Sequence, residues 1–327
     1  MMHAMEKSEF LPSCSADTIK RAAQSLINGN LVAFPTETVY GLGADALNSS
    51  AVARIYDVKG RPHDHPLIVH VQDLNAIDEW VKEIPEYAIQ LARDFWPGPM
   101  TLILNRSKIA GDFITGGQDT VGIRIPDHPI ALALLNSFHE MGGNGVAAPS
   151  ANRFGHVSPT SAQAVSQEIA DHMRDSDMIL DGGACKVGVE STIIDCSRNL
   201  PVILRPGAIS VEMIEESIQM KIKVNWRLSN VRVSGMLEKH YSPISKVFLD
   251  QTPLAGQGFL ALSNIETPPG VVRLGTPINT EEFAQMLYQS LRRADELKLE
   301  SLVVQQPKGE GLAIAIRDRL SKAVNGR

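Results

Sequence analysis

Two cations separated by one glycine are the clearest chemical candidate in the chain. Lys59 and Arg61 flank Gly60 and are followed by Pro62. The spacing predicts a helix that starts at a Ser49 or Ser50 cap and stops at Gly60, because Pro62 cannot extend it. Both side chains then leave one short turn. As partners of the negative end of a helix dipole they would simply face solvent. As a pair they could also clamp a triphosphate. The ammonium is a point charge, and the guanidinium is a fork that matches two phosphate oxygens. No GxxxxGK segment occurs, so such a nucleotide site would be built without a P-loop.

Other segments place polar groups where a ligand could use them. In TVGIRIP, residues 120–126, strand alternation puts Val121, Ile123 and Ile125 on one face. Thr120, Gly122 and Arg124 share the other, where Gly122 leaves room. Arg124 sits between apolar residues and needs an anion, since burying it unpaired is costly. A structural Asp or Glu would serve, and so would a ligand carboxylate gripped by the fork. AAPSAN, residues 147–152, makes a ledge of small residues carrying Ser150 and Asn152. Helix capping does not explain either one. It does explain Thr160, which can cap the next helix with Gln163. GVEST (residues 188–192) and Arg205-Pro206-Gly207 repeat the pattern of glycine beside polar groups. His70 ends an apolar run and would serve as a core histidine or a ligand contact. PTETVYGLG, residues 35–43, supplies hydroxyls, a carboxylate and two glycines after a strand, and a tight turn would use the same residues. Gly41 to Ala46 also fits a loose GxGxxA. The dinucleotide fingerprint needs its first glycine directly after the strand, and here Pro35 breaks the strand six residues earlier.

The elements that must hold these groups read as α/β. Apolar runs at 31–34, 67–71, 102–104, 121–125, 146–148, 192–194 and 202–204 predict strands. Helices are expected over 16–28, 50–58, 86–95, 130–138 and 161–172, in alternation with them. Residues 226–243 are irregular and rich in Ser, Arg and Asn, which marks a linker. A second α/β unit follows, with strands at 246–249, 258–262, 271–274 and 301–305. Its first helix takes Asn279 as cap and Glu282 at the third position. Phe283, Met286, Leu287, Leu291 and Ala294 fall on one face of that helix. A last helix spans 312–324.

Composition narrows the function classes. The 327 residues are 43% hydrophobic and 21% charged, which suits two globular domains. A net charge of -6 argues against a domain that holds nucleic acid by itself. Three cysteines, none in a CxxC pair, argue against a disulfide scaffold or a cysteine zinc site. The N-terminal segment is charged and lacks an apolar run, so no signal peptide is expected, and no apolar stretch is long enough to span a bilayer.

Taken in order, PTETVYGLG, KGRP with PLIVH, WPGPMTLIL, VGIRIP, APSAN, GVESTIID and LRPG resemble the YrdC-like domain of the threonylcarbamoyl-AMP synthases. The resemblance spans residues 18–209. HYSP at 240–243 resembles that family's interdomain linker. GLAIAIRDRL at 311–320 is similar to the closing helix of its two-domain members. The resemblance implies a twisted open mixed sheet with a large cavity over 1–225, a linker over 226–244, and a smaller Rossmann-like α/β domain over 245–327. It implies that L-threonine and bicarbonate combine, that the new carboxylate attacks the α-phosphate of ATP, and that pyrophosphate leaves. Carried over by motif, Lys59, Arg61, Ser150 and Asn152 are the catalytic and phosphate-binding group. Thr38, His70, Arg124, Ala148 and Ser191 are threonine contacts. Thr120, Ser158, Arg205 and Tyr241 join Lys59, Arg61 and Ser150 at the nucleotide. The implied cofactor is Mg²⁺ with ATP, with bicarbonate as co-substrate and no metal-ligating side chains. The product passes to a tRNA threonylcarbamoyl transferase in the cytoplasm, with no membrane and at most weak tRNA contact. One departure is visible: the linker's usual Ser-Pro-Gly-Met-like start is Val233-Ser234-Gly235-Met236 here. Two other readings fit the YrdC-like motifs. An RNA-binding module conflicts with the acidic charge and 5% aromatic content. The carbamoyl-transfer domain of hydrogenase maturation proteins is accompanied by zinc-finger segments whose cysteines are missing here.

Overall fold

The computed structural model describes residues 10–11, 14–224, 231–235 and 240–324. Of the expected linker, residues 226–230 and 236–239, Met236 included, lie outside the described residues. The first part of the chain runs β1 (Phe10–Leu11), α1 (Ala16–Ile27), β2 (Val32–Phe34), β3 (Gly41–Asp45), α2 (Ser49–Lys59), β4 (Ile68–His70), α3 (Ile77–Trp80), α4 (Glu86–Phe95) and β5 (Met100–Asn105). It continues through α5 (Asp112–Thr115), β6 (Thr120–Arg124), α6 (Pro129–Glu140), β7 (Val146–Ala147), α7 (Ala162–Ile169), β8 (Met178–Leu180), β9 (Thr192–Asp195), β10 (Val202–Arg205), α8 (Val211–Ile218) and β11 (Lys223–Val224). The strands form one eleven-stranded mixed sheet in the order β1-β8-β2-β3-β7-β4-β6-β5-β9-β10-β11.

Strand alternation splits the core between the two faces. Leu31 and Ala33 join the larger cluster with Val69, Ala147 and Ile179. Val32 and Phe34 turn to the other face and pack with Val146, Met178 and Leu180. Helix α1 covers that second face with Ile19, Ala22, Ala23 and Leu26, the spacing of an amphipathic helix. Ser15 starts it by accepting a hydrogen bond from the Thr18 amide at 3.2 Å. Val121, Ile123 and Ile125 lie together in the larger cluster, as alternation requires.

Several local expectations need correction. Residues 41–45 form a strand, with β2 on one side and β7 on the other. GLGAD lacks the β-branched residues that signal a strand. Its glycines are there for close approach: the Phe34 ring lies over them. This also removes the dinucleotide loop suggested by GxGxxA. The cap of α2 is Asn48, whose side chain accepts from the Ala51 amide at 3.0 Å. The cap of α7 is Ser161. Strands β1, β8 and β11 are short pieces that periodicity misses.

The C-terminal unit holds β12 (Lys246–Leu249), β13 (Gly258–Leu260), β14 (Val272–Gly275), α9 (Thr280–Glu296), β15 (Ser301–Val304) and α10 (Leu312–Val324). Its four strands are all parallel, in the order β12-β15-β13-β14. Val247, Leu260, Leu302 and Val304 face the helices α9 and α10. Phe259 and Val303 face the other side, where Ile265 and Val271 cover them. The helix-facing cluster also takes in Val39, Val157, Val189 and Tyr241 from the first part of the chain, so the two units share a core. Asn279 caps α9 as expected, whereas Glu282 Oε2 reaches back to the Ile278 amide at 3.0 Å.

A cost follows from β3. A Cβ on Gly43 would lie 2.7 Å from Val146 Cγ1 and 2.9 Å from Phe34 Cε1. Gly43→Ala should therefore destabilise the protein by about 1–3 kcal/mol, the scale of overpacking a closed core. Urea unfolding of the two proteins measures it, and an unchanged midpoint would refute the packing argument.

Candidate active site

Eight of the residues singled out from the sequence line one cleft: Arg61, His70, Arg124, Ala148, Ser150, Ser191, Arg205 and Tyr241. The cleft holds about 540 Å³ of space, its open mouth included. Strands β3, β4, β6 and β10 supply lining residues, and so do the stretches just past α2 and β7.

Lys59 is not the exposed cation that its place at a helix end suggests. It is 2% exposed, and its ammonium donates to the carbonyls of Ser150 at 2.6 Å and Asn152 at 2.5 Å. Burial, with Arg61 next, holds the amine well below its ordinary value. Gly60 ends α2 in the left-handed region at φ 61°, which turns the chain so that Arg61 reaches the cleft. Arg61 is also buried, at 7% exposure. Its Nη2 donates to the Pro66 carbonyl at 3.0 Å and to Ser234 Oγ at 3.2 Å, while Nε has no partner. Burial lowers its pKa to about 10, so it stays charged at neutral pH. Asn152 lies behind Ser150. Its amide donates to the carbonyls of Arg153 and His156, and Oδ1 has no donor.

Arg124 ends β6 with its guanidinium fixed on two sides. Nε donates to the Gly98 carbonyl at 3.3 Å, and Nη2 donates to Thr38 Oγ1 at 2.9 Å. Glu37 Oε1 stands 2.7 Å from Nη2, close but without hydrogen-bond alignment. The structural carboxylate allowed for Arg124 thus exists, and it is Glu37. Nη1 has no protein partner among the described residues. Thr38 holds Arg124 from behind rather than lining the cleft. His70 is buried, and its Nδ1 has no partner among the described residues. Burial, with Arg124 beside it, pushes the imidazole down to about 3, so it is neutral at pH 7.

Arg205 ends β10. Nε and Nη2 both donate to the Ser191 carbonyl, at 3.1 and 2.9 Å, and Nη1 donates to the Ser234 carbonyl at 2.8 Å. Neither Arg61 nor Arg205 has a carboxylate within ion-pair distance among the described residues. Ser158 sits behind the cleft, donating to Glu190 Oε1 at 2.6 Å. Thr120 faces an adjoining groove with Gly122, Ile193 and Arg232, which meets the cleft at Ile68 and Ser234. Among the described residues no three His, Cys, Asp or Glu side chains gather in a way that would hold a metal ion.

The described linker residues are part of the site. Ser234, Gly235, His240 and Tyr241 line the cleft, and Val231 and Val233 pack on Ile103, Ile193 and Leu204. Gly235 is at φ 80°, and a Cβ there would lie 2.3 Å from the Tyr241 hydroxyl, so only glycine fits. Burial pushes His240 down to about 3 and Tyr241 upward. Glu37, Glu190, Ser234 and Gly235 also stand at the site without an expected role there, the first two inside the PTETVYGLG and GVEST motifs. The carboxylates had a signal: each is a charge inside a motif whose neighbours are small, apolar or hydroxylated.

A family model described as "Telomere recombination" matches residues 24–207. A second, described as "Threonylcarbamoyl-AMP synthase, C-terminal domain", matches residues 209–324. The threonylcarbamoyl-AMP synthase of Pyrococcus abyssi is 39% identical over 325 residues, covering 93% of each chain. That of Bacillus subtilis is 39% identical over 331 residues, covering 94% of this chain and 93% of its own. The crystal structure of P. abyssi Sua5 complexed with L-threonine is similar with a TM-score of 0.85 at 37% identity, over 96% of both chains. With both units matched in order, the chain belongs to the threonylcarbamoyl-AMP synthase family.

Proposed function

We propose that the protein forms L-threonylcarbamoyl-AMP and pyrophosphate from L-threonine, bicarbonate and ATP. One observation carries the reading of the nucleotide: two buried guanidiniums, Arg61 and Arg205, share a cleft and, among the described residues, donate their hydrogen bonds to neutral oxygens. Neutral acceptors orient a cation without cancelling its charge, so the cleft favours a polyanion. The opposite wall suits an amino acid. Arg124 offers Nη1 for a carboxylate, with neutral His70, Ala148 and Ser191 around it, and a P. abyssi relative has been solved with L-threonine.

In this reading the threonine amine attacks the bicarbonate carbon, a C–O bond breaks and water leaves, which gives an N-carboxylated threonine. Its new carboxylate oxygen attacks the α-phosphorus, and the bond to pyrophosphate breaks. Arg61 and Arg205 stabilise the charge that builds on the phosphoryl oxygens. Lys59 fixes the Ser150–Asn152 turn so that the Ser150 hydroxyl faces the phosphates. Thr120 supports the nucleotide from the adjoining groove, while Ser158 acts from behind the cleft through Glu190. A Mg²⁺ ion would enter on the triphosphate and neutralise its oxygens. Much of the remaining acceleration is alignment of carboxylate and phosphorus. The product is handed to a tRNA threonylcarbamoyl transferase, which places the chemistry in the cytoplasm. No described helix is long and apolar enough to cross a membrane.

The test is pyrophosphate release with ATP, Mg²⁺, L-threonine and bicarbonate. Omitting threonine or bicarbonate should abolish most of it, and equal turnover without threonine would sink the assignment. Arg61→Ala should lower turnover by about 10²-fold, the scale for one preorganised electrostatic group. Lys59→Ala should cost turnover and also stability, by about 1–3 kcal/mol, because the carbonyls of Ser150 and Asn152 lose their donor. Near-normal rates in both variants would remove the phosphate role. Arg124→Lys should weaken threonine binding and leave ATP binding nearly unchanged, since a lysine cannot serve Gly98, Thr38 and a ligand together. Calorimetry with each substrate decides this. Lost ATP binding with normal threonine binding would move Arg124 to the nucleotide.

A further inference from the structure

Helices α9 and α10 belong to the C-terminal unit, yet their side chains reach the wall of the cleft. Glu190 lines the cleft and is 6% exposed. Its Oε2 accepts from Tyr288 Oη of α9 at 2.9 Å and from Arg319 Nε of α10 at 2.8 Å. Arg319 is itself buried and also lies over the Tyr241 ring, 5.5 Å from its centroid. Tyr288 stacks on the same ring at 5.7 Å and 25°. Lys322, one turn further along α10, donates to the Gly235 carbonyl at 2.9 Å. Burial alone would raise the Glu190 carboxyl, but Arg319, Arg205 and the Ser158 hydroxyl hold it down at about 2.

Ordinary domain adhesion explains part of this contact surface. Arg292 of α9 pairs with Glu168 at 2.7 Å, and Gln285 donates to the Lys186 carbonyl, without touching any cleft-lining residue. The Glu190 cluster differs in what it grips: two residues that line the cleft. One of them is held against its own preference. Tyr241 is in the left-handed region at φ 60°, a conformation that persists in a bulky residue only when its surroundings fix it. Its hydroxyl is buried beside Gly235 and has no hydrogen-bond partner among the described residues. A phenol kept in place at this cost, beside Arg205, is a group prepared for something else to bind.

We propose that Tyr288 and Arg319 are positioning residues of the reaction, holding Glu190 and Tyr241 so that the Tyr241 hydroxyl meets the nucleotide beside Arg205. The C-terminal unit then completes the active site from behind. The inference rests on the proposed function for its choice of ligand, and ATP binding tests it whether or not turnover is seen.

The experiment uses the full chain with Tyr288→Phe, Arg319→Lys and, as control, Arg317→Ala. Arg317 ties α10 to the carbonyls of Pro307 and Gly309 within its own unit. ATP and threonine affinities are measured by calorimetry, and kcat and KM by pyrophosphate release. Tyr288→Phe keeps the ring on Tyr241 and removes only the bond to Glu190, so it stays folded even if Arg319→Lys does not. The expected result is a loss of roughly 10-fold or more in ATP affinity or in kcat/KM for ATP, the usual cost of removing a supporting partner. Threonine affinity stays within about 2-fold, since its wall is held by other residues. Wild-type behaviour of Tyr288→Phe would overturn the proposal. So would equal losses for ATP and threonine, or an equal loss in Arg317→Ala, since each of these marks adhesion only. Absence of threonine-dependent turnover in the wild type would count against the function and leave the ATP-binding comparison standing.

Discussion

A buried cation must be given acceptors, and the architecture around the cleft follows from that demand. Lys59, Arg61, Arg124, Arg205 and Arg319 are each at most 7% exposed. Leaving any of them unpaired in a low dielectric would cost more than a small domain can spare. Lys59 is met by two carbonyls of the turn after β7, which locks the end of α2 to the end of that strand. Arg205 is met by Ser191, which locks the end of β10 to the entry of β9. Arg124 joins β6 to the PTETVYG segment through Thr38 and Glu37. Each pairing ties separate elements together, so the cations act as fasteners of the fold.

The acceptors sort these cations into two kinds. Arg124 and Arg319 face carboxylates, Glu37 and Glu190. Those pairs are closer to neutral and can be buried deeply while still fixing direction. Arg61 and Arg205 face carbonyls and a hydroxyl, so their charge is oriented but not cancelled. The division separates guanidiniums whose charge a carboxylate offsets from those whose charge is left free within one small volume. It also explains why Ser234 matters: its carbonyl takes Arg205 and its hydroxyl takes Arg61, so one linker residue sets the spacing of both uncancelled charges.

Much of the frame was legible because it follows periodicity. The alternation of TVGIRIP placed Arg124 on the face opposite Val121, Ile123 and Ile125, where it lies. The stop at Gly60 was legible because proline and glycine act locally. What was hidden depends on long-range pairing. Nothing near Lys59 in sequence shows that two carbonyls ninety residues later will bury it. The strand GLGAD was hidden because its glycines serve the Phe34 ring and not local propensity. Arg319 could have been found. It lies four residues after Ala315 and three after Ile316 on the buried side of α10, where a charge needs a buried partner. The partner, Glu190, could not be named from that pattern, since it lies 129 residues away in the other unit.

The acidic net charge of -6 and an anion-seeking cleft are compatible because they act over different distances. Exposed charges are screened over about 10 Å at 0.1 M salt, so the average of the surface sets little more than solubility and weak steering. Inside the cleft, burial shields Arg61 and Arg205 from counterions. Their carbonyl partners leave them attractive to phosphate, and the acidic exterior does not cancel them. An acidic chain can therefore hold an anion-seeking cleft, provided that the uncancelled cations lie below its surface.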